Sequence, residues 1–181
     1  NPGSPTRTSM IAGAPGALAA ARAQMKLSDA KTSPSVPLGI LGHSMGAAAG
    51  LELAVRSDPD RSVLVSPFTT LLAMARRSVG WPLCYLLFDR FDDQTRLDEL
   101  YARSPRPPVA ILHGTNDEVI PFAMGKTLAE AHPDWIAFTS LPGCTHNGIL
   151  NYSAGSIYRA MLGEASAPGS VQYATPVSAK P

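Results

Sequence analysis

Apolar positions along this chain follow two alternating rhythms. Four short runs have little polar interruption: Val36 to Leu41, Ser62 to Ser66, Pro107 to His113 and Trp135 to Leu141. Their length and content are those of strands buried on both faces. Between them, apolar residues recur every three or four positions, as one face of a helix requires. One helical segment starts at Ala47 and passes through Leu51, Leu53, Ala54 and Val55. It should stop near Ser57, because Asp58-Pro59-Asp60 disfavours another turn. A second passes through Met124, Leu128 and Ala131. A third, Gly148 to Leu162, places Leu150, Ala154, Ile157, Tyr158 and Met161 on one side. Strand, helix, strand at this spacing is a βαβ unit, which implies a parallel sheet. The predicted fold class is therefore α/β, a mostly parallel sheet of about four strands flanked by helices.

Three regions depart from the rhythm. Residues 1–11, rich in Pro, Gly, Ser and Thr, read as loop, followed by a short helix over Gly13 to Lys26 and a polar connector from Ser28 to Pro34. Residues 68–106 interrupt the alternation with two helix-like pieces, Thr70 to Ser78 and Thr95 to Ala102. These surround an apolar patch of Trp81, Leu83, Tyr85, Leu86, Leu87, Phe88 and Phe91. An insertion of this kind predicts a small helical cap over the mouth of the sheet. Its apolar side chains suit either an acyl chain or simple packing on the body. The last residues, 164–181, carry too little apolar content to pack and are expected to be disordered. Residues 1–163 are thus read as one domain.

Composition narrows the function classes. The chain of 181 residues carries 15 basic against 14 acidic side chains, so charge gives no argument for nucleic acid. Its two cysteines, Cys84 and Cys144, lie far apart, which argues for plain thiols in a reducing compartment rather than a disulfide framework or zinc site. No apolar window reaches the length of a membrane span. A cytoplasmic setting or the cytosolic face of a membrane is favoured, with peripheral membrane association open. No cofactor or metal is called for, since no strand is followed by a Gly-rich phosphate loop with Lys.

The chemistry concentrates in three loops, each just after the carboxyl end of a strand, where open α/β sheets bind ligands. The first is Gly42-His43-Ser44-Met45-Gly46, a G-x-S-x-G pentapeptide between strand and helix. In that context it predicts a nucleophile elbow presenting the Ser44 hydroxyl above the sheet, with Gly42 and Gly46 both required by close approach of strand and helix. The others hold Asp117 and His146. A serine hydroxyl is a weak nucleophile and needs an imidazole to take its proton, and that imidazole needs an acceptor on its other nitrogen. Ser44, His146 and Asp117 fill these catalytic roles, and the Met45 backbone N–H, at a helix start, faces a developing oxyanion. Glu118, Asp89, Asp92 and Asp93 are competing acids. His43 and His113 are read as supporting residues, and His132 as a solvated one.

With these residues in place, the segments Gly42–Gly46, His113–Pro121 and Gly143–Asn147 resemble the signature segments of the α/β-hydrolase superfamily. They are most similar to its serine aminopeptidase-like and protein-depalmitoylating branch. The resemblance covers about Val36 to Leu162. It implies a serine hydrolase acting on an ester, thioester or amide of a small molecule or acylated protein. A serine peptidase and a non-catalytic binding module of the same fold are the alternatives. The superfamily's sheet has about eight strands, with a second oxyanion donor in its amino-terminal half. The chain is therefore expected to hold the carboxyl-terminal part of the fold and to leave Val36 to Leu41 as an unpaired sheet edge. It is expected to be a fragment or to need a partner, and to be inactive on its own.

Overall fold

The computed structural model describes residues 6–25, 36–86, 90–165, 168 and 171–173; of the last three only the backbone is described. The connector at Ser28 to Pro34, the opening residues 1–5 and Leu87, Phe88 and Asp89 of the cap lie outside the described residues.

Five strands form one parallel sheet in chain order: β1 (Gly39–His43), β2 (Arg61–Val65), β3 (Val109–Gly114), β4 (Ile136–Leu141) and β5 (Val171–Tyr173). The register pairs Leu41 with Val63, Val63 with Ala110 and Ala110 with Ala137, so each layer of side chains continues across the sheet. The pleat then sorts the core in two. Ile40, Leu64, Ile111, Ile136 and Phe138 face a layer built from α2 (Met45–Ala54), α4 (Asp93–Tyr101) and α5 (Phe122–Ala131). Val63, Val65, Ala110, Leu112 and Ala137 face α6 (Ile149–Tyr152) and α7 (Ala154–Leu162). This two-sided burial is why the strands read as unbroken apolar runs.

Several boundaries differ from the sequence reading. The first helix, α1 (Arg7–Gln24), begins within the residues read as loop, because Thr6 and Ser9 form a reciprocal capping box ahead of the Ala-rich run. The carboxyl-terminal helix is two helices, broken at the buried Ser153. The expected disorder of 164–181 is corrected at Val171–Tyr173, which pairs with Phe138–Ser140 of β4. Main-chain pairing at a sheet edge needs no apolar content, so composition could not reveal it. Among the described residues β1 forms the other edge and pairs with β2 alone, and Leu41 is 51% exposed.

The cap leaves the body after β2 and returns through a narrow neck. Leu71 N–H donates to Phe91 O (2.9 Å), Asp93 N–H donates to Thr69 O (3.0 Å), and Thr70 bridges Asp92. Phe68 and Phe91 anchor this neck against Ala48 and Ile120. Beyond it stand α3 (Leu71–Val79) and a 3₁₀ turn at Leu83–Leu86, while α4 is capped by the Asp92 carboxylate accepting from Thr95 N–H (2.9 Å). Asp93, at the start of α4, is 1% exposed. Burial pushes its carboxyl well above the usual range, reinforced by the neighbouring Asp92.

One buried carboxylate ties the helical layer together. Glu52 of α2 is 2% exposed and accepts Arg7 Nε (2.8 Å) and Arg56 Nη1 (2.7 Å), with Arg96 Nε of α4 3.4 Å away. Burial raises its pKa, but the hydrogen bonds from Arg7 and Arg56 and the charge of Arg96 outweigh that and hold it below the ordinary glutamate value. A depressed folded-state pKa gives stability that is present above the unfolded value and lost as pH falls. Glu52→Gln should therefore lower stability by about 2 kcal/mol near neutral pH. In thermal melts the gap to the parent chain should narrow as pH falls from about 7 to about 3.5. A gap independent of pH would contradict this assignment.

Candidate active site

β1 ends at His43 and α2 begins at Met45, which leaves Ser44 alone at the corner with φ 56° and ψ −126°. Non-glycine residues rarely occupy positive φ, and the strain persists only where the surroundings impose it. Here Ser44 N–H donates to Val65 O (2.9 Å) and Ala47 N–H donates to Ser44 O (2.9 Å), pinning both sides of the corner. Gly42 is required as expected: a Cβ there would lie 2.6 Å from Ala47 Cα and still closer to Gly46 O. The same expectation for Gly46 is corrected, because a Cβ there meets nothing within 4 Å; it sits in the exposed first turn of α2. Met45 is the first residue of that helix, where backbone N–H groups have no intrahelical partner and point outward.

Asp117 and His146 arrive on two loops that are zipped together. Thr115 N–H donates to Leu141 O (3.0 Å), Asn116 N–H donates to Cys144 O (3.1 Å), and Gly143 N–H donates to Thr115 Oγ1 (2.9 Å). Gly114 lets them approach, since a Cβ there would strike Cys144 backbone, 2.9 Å from its carbonyl carbon. Asp117 Oδ1 accepts the N–H groups of Val119 (3.0 Å) and Ile120 (2.8 Å). His146 Nδ1 lies 3.0 Å from Asp117 Oδ1 and 2.9 Å from Oδ2. The Asp117 side chain has no exposed surface. Burial pushes its pKa up, but the hydrogen bonds from His146 and Ile120 N–H prevail and keep it below the usual aspartate range. Asp117 is thus an ionised acceptor that commits His146 Nδ1 to carrying a proton and leaves Nε2 as the basic nitrogen.

Two further histidines surround this pair. His43 Nε2 donates to His146 O (3.1 Å), and the two rings lie 4.7 Å apart at 36°. Burial, then the nearby His146, lowers the His43 pKa and favours its neutral form. His113 is fully buried and donates from Nε2 to Ile120 O (3.0 Å), with Asp117 Oδ2 3.4 Å from the same atom. Burial lowers its pKa as well. Through His43, the chain beside Ser44 is held against the base. Ser44 Oγ itself makes no hydrogen bond among the described residues; Asp117 and His146 are joined to each other, and the link to the serine corner runs through the neighbouring His43.

Glu118, considered as a competing acid, has a different place: its Oε2 accepts His146 N–H (3.1 Å) and fixes the loop rather than the ring. Asp92 and Asp93 are used in the cap neck. His132 is not solvated as expected, since its Nε2 lies 2.7 Å from Asp98 Oδ1 and its ring stacks on Tyr101 at 4.2 Å. Cys84 and Cys144 are buried free thiols. The partner role of Thr115 Oγ1 had no sequence signal, because it joins residues 28 positions apart.

A serine corner at one strand end, with an aspartate and a histidine in the loops after the next strands but one and two, is the arrangement of the α/β-hydrolase fold, which this chain shares. No family model matches the chain. Over 148 residues it is 30% identical to an uncharacterized protein of Mycobacterium tuberculosis, covering 81% of this chain and 49% of that protein. Over 118 residues it is 30% identical to alpha/beta hydrolase domain-containing protein 17B of Homo sapiens, covering 62% of this chain and 36% of that protein. The chain therefore spans about half the length, or less, of these curated relatives. Among solved structures, Est1E from Butyrivibrio proteoclasticus has the same fold, with a TM-score of 0.56 at 16% identity, covering 88% of this chain and 71% of that one.

Asp117→Asn should test the acid's assignment. It preserves shape but removes the charge that selects the His146 tautomer, so the rate of Ser44 acylation should fall by about 10³- to 10⁴-fold in protein that still folds, as judged by circular dichroism at the assay temperature. Loss of less than tenfold would show that another acid serves His146.

Proposed function

We propose that this chain carries the catalytic centre of a serine hydrolase that cleaves a carboxylic ester or thioester through an acyl-enzyme. The observation that carries the reading is the buried Asp117–His146 pair (2.9 Å), tied through His43 to the strand end where a serine occupies a strained corner. In this reading Ser44 Oγ attacks the substrate carbonyl carbon while His146 Nε2 takes the hydroxyl proton. Asp117 stabilises the imidazolium, and the Met45 N–H donates to the developing oxyanion. Collapse of the tetrahedral intermediate breaks the bond to the alcohol or thiol, which receives the proton from His146. Water then repeats the sequence on the acyl-enzyme and returns free Ser44. Catalytic hydrogen bonds are often long before substrate binds, which fits the unbonded Ser44 Oγ.

The choice of ester or thioester over peptide rests on the rim of the site. Met45, Val119, Leu150 and Tyr152, each a few residues from a catalytic group, are 39%, 46%, 44% and 57% exposed and uncharged. Such a rim suits an apolar acyl group. An aminopeptidase needs a free carboxylate to hold the substrate amine, and Asp117 and Glu118 are both committed to His146. A non-catalytic binding module is the second reading, favoured by the unbonded Ser44 Oγ.

Turnover of a p-nitrophenyl acyl ester, an acyl thioester and an aminoacyl anilide separates these readings. We expect hydrolysis of the first two, reduced at least about 10³-fold in Ser44→Ala. Cleavage of the anilide alone would favour the peptidase, and no turnover of any would favour the binding module.

A further inference from the structure

Beyond the neck, the cap presents an unusual tip. Trp81, Leu83, Tyr85 and Leu86 are 71%, 57%, 53% and 68% exposed within six residues of chain. Cys84, in the same 3₁₀ turn, is 1% exposed and serves as the inward anchor. Side chains this exposed stand out from the surface rather than line a groove. The last turn of α3 adds Arg76 and Arg77, both exposed and neither paired with a carboxylate among the described residues. From Arg61 to Phe88 the chain contains no Asp or Glu; the next acid is Asp89.

We infer that this tip is a docking surface for anionic lipid bilayers. Trp and Tyr favour the membrane–water interface, where an apolar ring and a polar edge are both satisfied. The leucines would enter the acyl boundary, and the two unpaired guanidinium groups complement anionic headgroups. The charge pattern is what selects lipid over a second protein surface: an apolar tip with two cations unpaired among the described residues, in a stretch without Asp or Glu from Arg61 to Phe88, matches a negatively charged sheet of headgroups. Because the cap leaves the body after the carboxyl end of β2, the tip projects from the end of the sheet that holds Ser44. Docking would bring that end to the interface where acyl groups are found. The lipid contact itself does not depend on the hydrolase reading.

Of the two tryptophans, Trp135 is 8% exposed, so Trp81 is a built-in reporter. The test is co-sedimentation of the whole chain with phosphatidylcholine vesicles, with and without phosphatidylserine, while following tryptophan emission and its quenching by brominated lipid. The expected result is binding that needs phosphatidylserine, weakens with salt and shifts emission to the blue. Arg76→Gln with Arg77→Gln should weaken it on the order of tenfold or more. Trp81→Ala with Leu86→Ala should abolish it, with far-ultraviolet circular dichroism unchanged in both variants. Absence of binding, or binding indifferent to both double substitutions, overturns the proposal. So does a concentration-dependent dimer in sedimentation without lipid that Trp81→Ala with Leu86→Ala dissolves, since the tip would then belong to a second copy. Ester turnover in the absence of vesicles is read separately, so failure of either reading leaves the other to stand on its own result.

Discussion

The carboxylate of Asp117 is the constraint on which the rest of the site depends. It is buried without exposed surface, and a buried charge is tolerated only when its lone pairs are met. Val119 and Ile120 supply backbone N–H groups, and His146 supplies the third partner. Each donor lies on a segment with its own tether. Ile120 returns its carbonyl to His113, and the His146 segment is held by Glu118 from one side and by His43 from the other. The loop after β3 and the loop after β4 are in this sense folded around one charge.

The second requirement is delivery of the serine, and here the sheet does the positioning. Parallel register carries β1, β2, β3 and β4 to their carboxyl ends on one side, so three loops converge without any long connection. The elbow is then a local solution. Gly42 permits the contact with α2, the hydrogen bond to Val65 closes the corner on β2, and Ser44 absorbs the positive φ. Backbone strain at a single functional residue is stable because a well-packed strand and helix flank it on either side.

Much of this was legible in the sequence. Unbroken apolar runs predict a sheet covered on both faces, and the two core layers are that prediction realised in alternate residues such as Leu64 and Val65. Ser44 could be read because an elbow is a contiguous motif, and Asp117 and His146 because strand ends are visible as apolar runs that stop. What escaped were contacts between residues far apart in the chain. The Glu52 arginine cluster, the Thr115 bond to Gly143 and the His43 bond to His146 leave no periodicity. Edge pairing of Val171–Tyr173 escaped for another reason, since backbone hydrogen bonds are indifferent to composition.

Every step proposed for this site requires Ser44 to be a nucleophile served by His146. Peptide mapping after treatment of the chain with a fluorophosphonate probe tests it most directly. A single covalent adduct is expected on the peptide containing Ser44, formed in the parent chain and lost in His146→Ala, which leaves the serine in place but removes its base. An adduct on a different residue, or labelling of Ser44 that proceeds equally fast without His146, would contradict it.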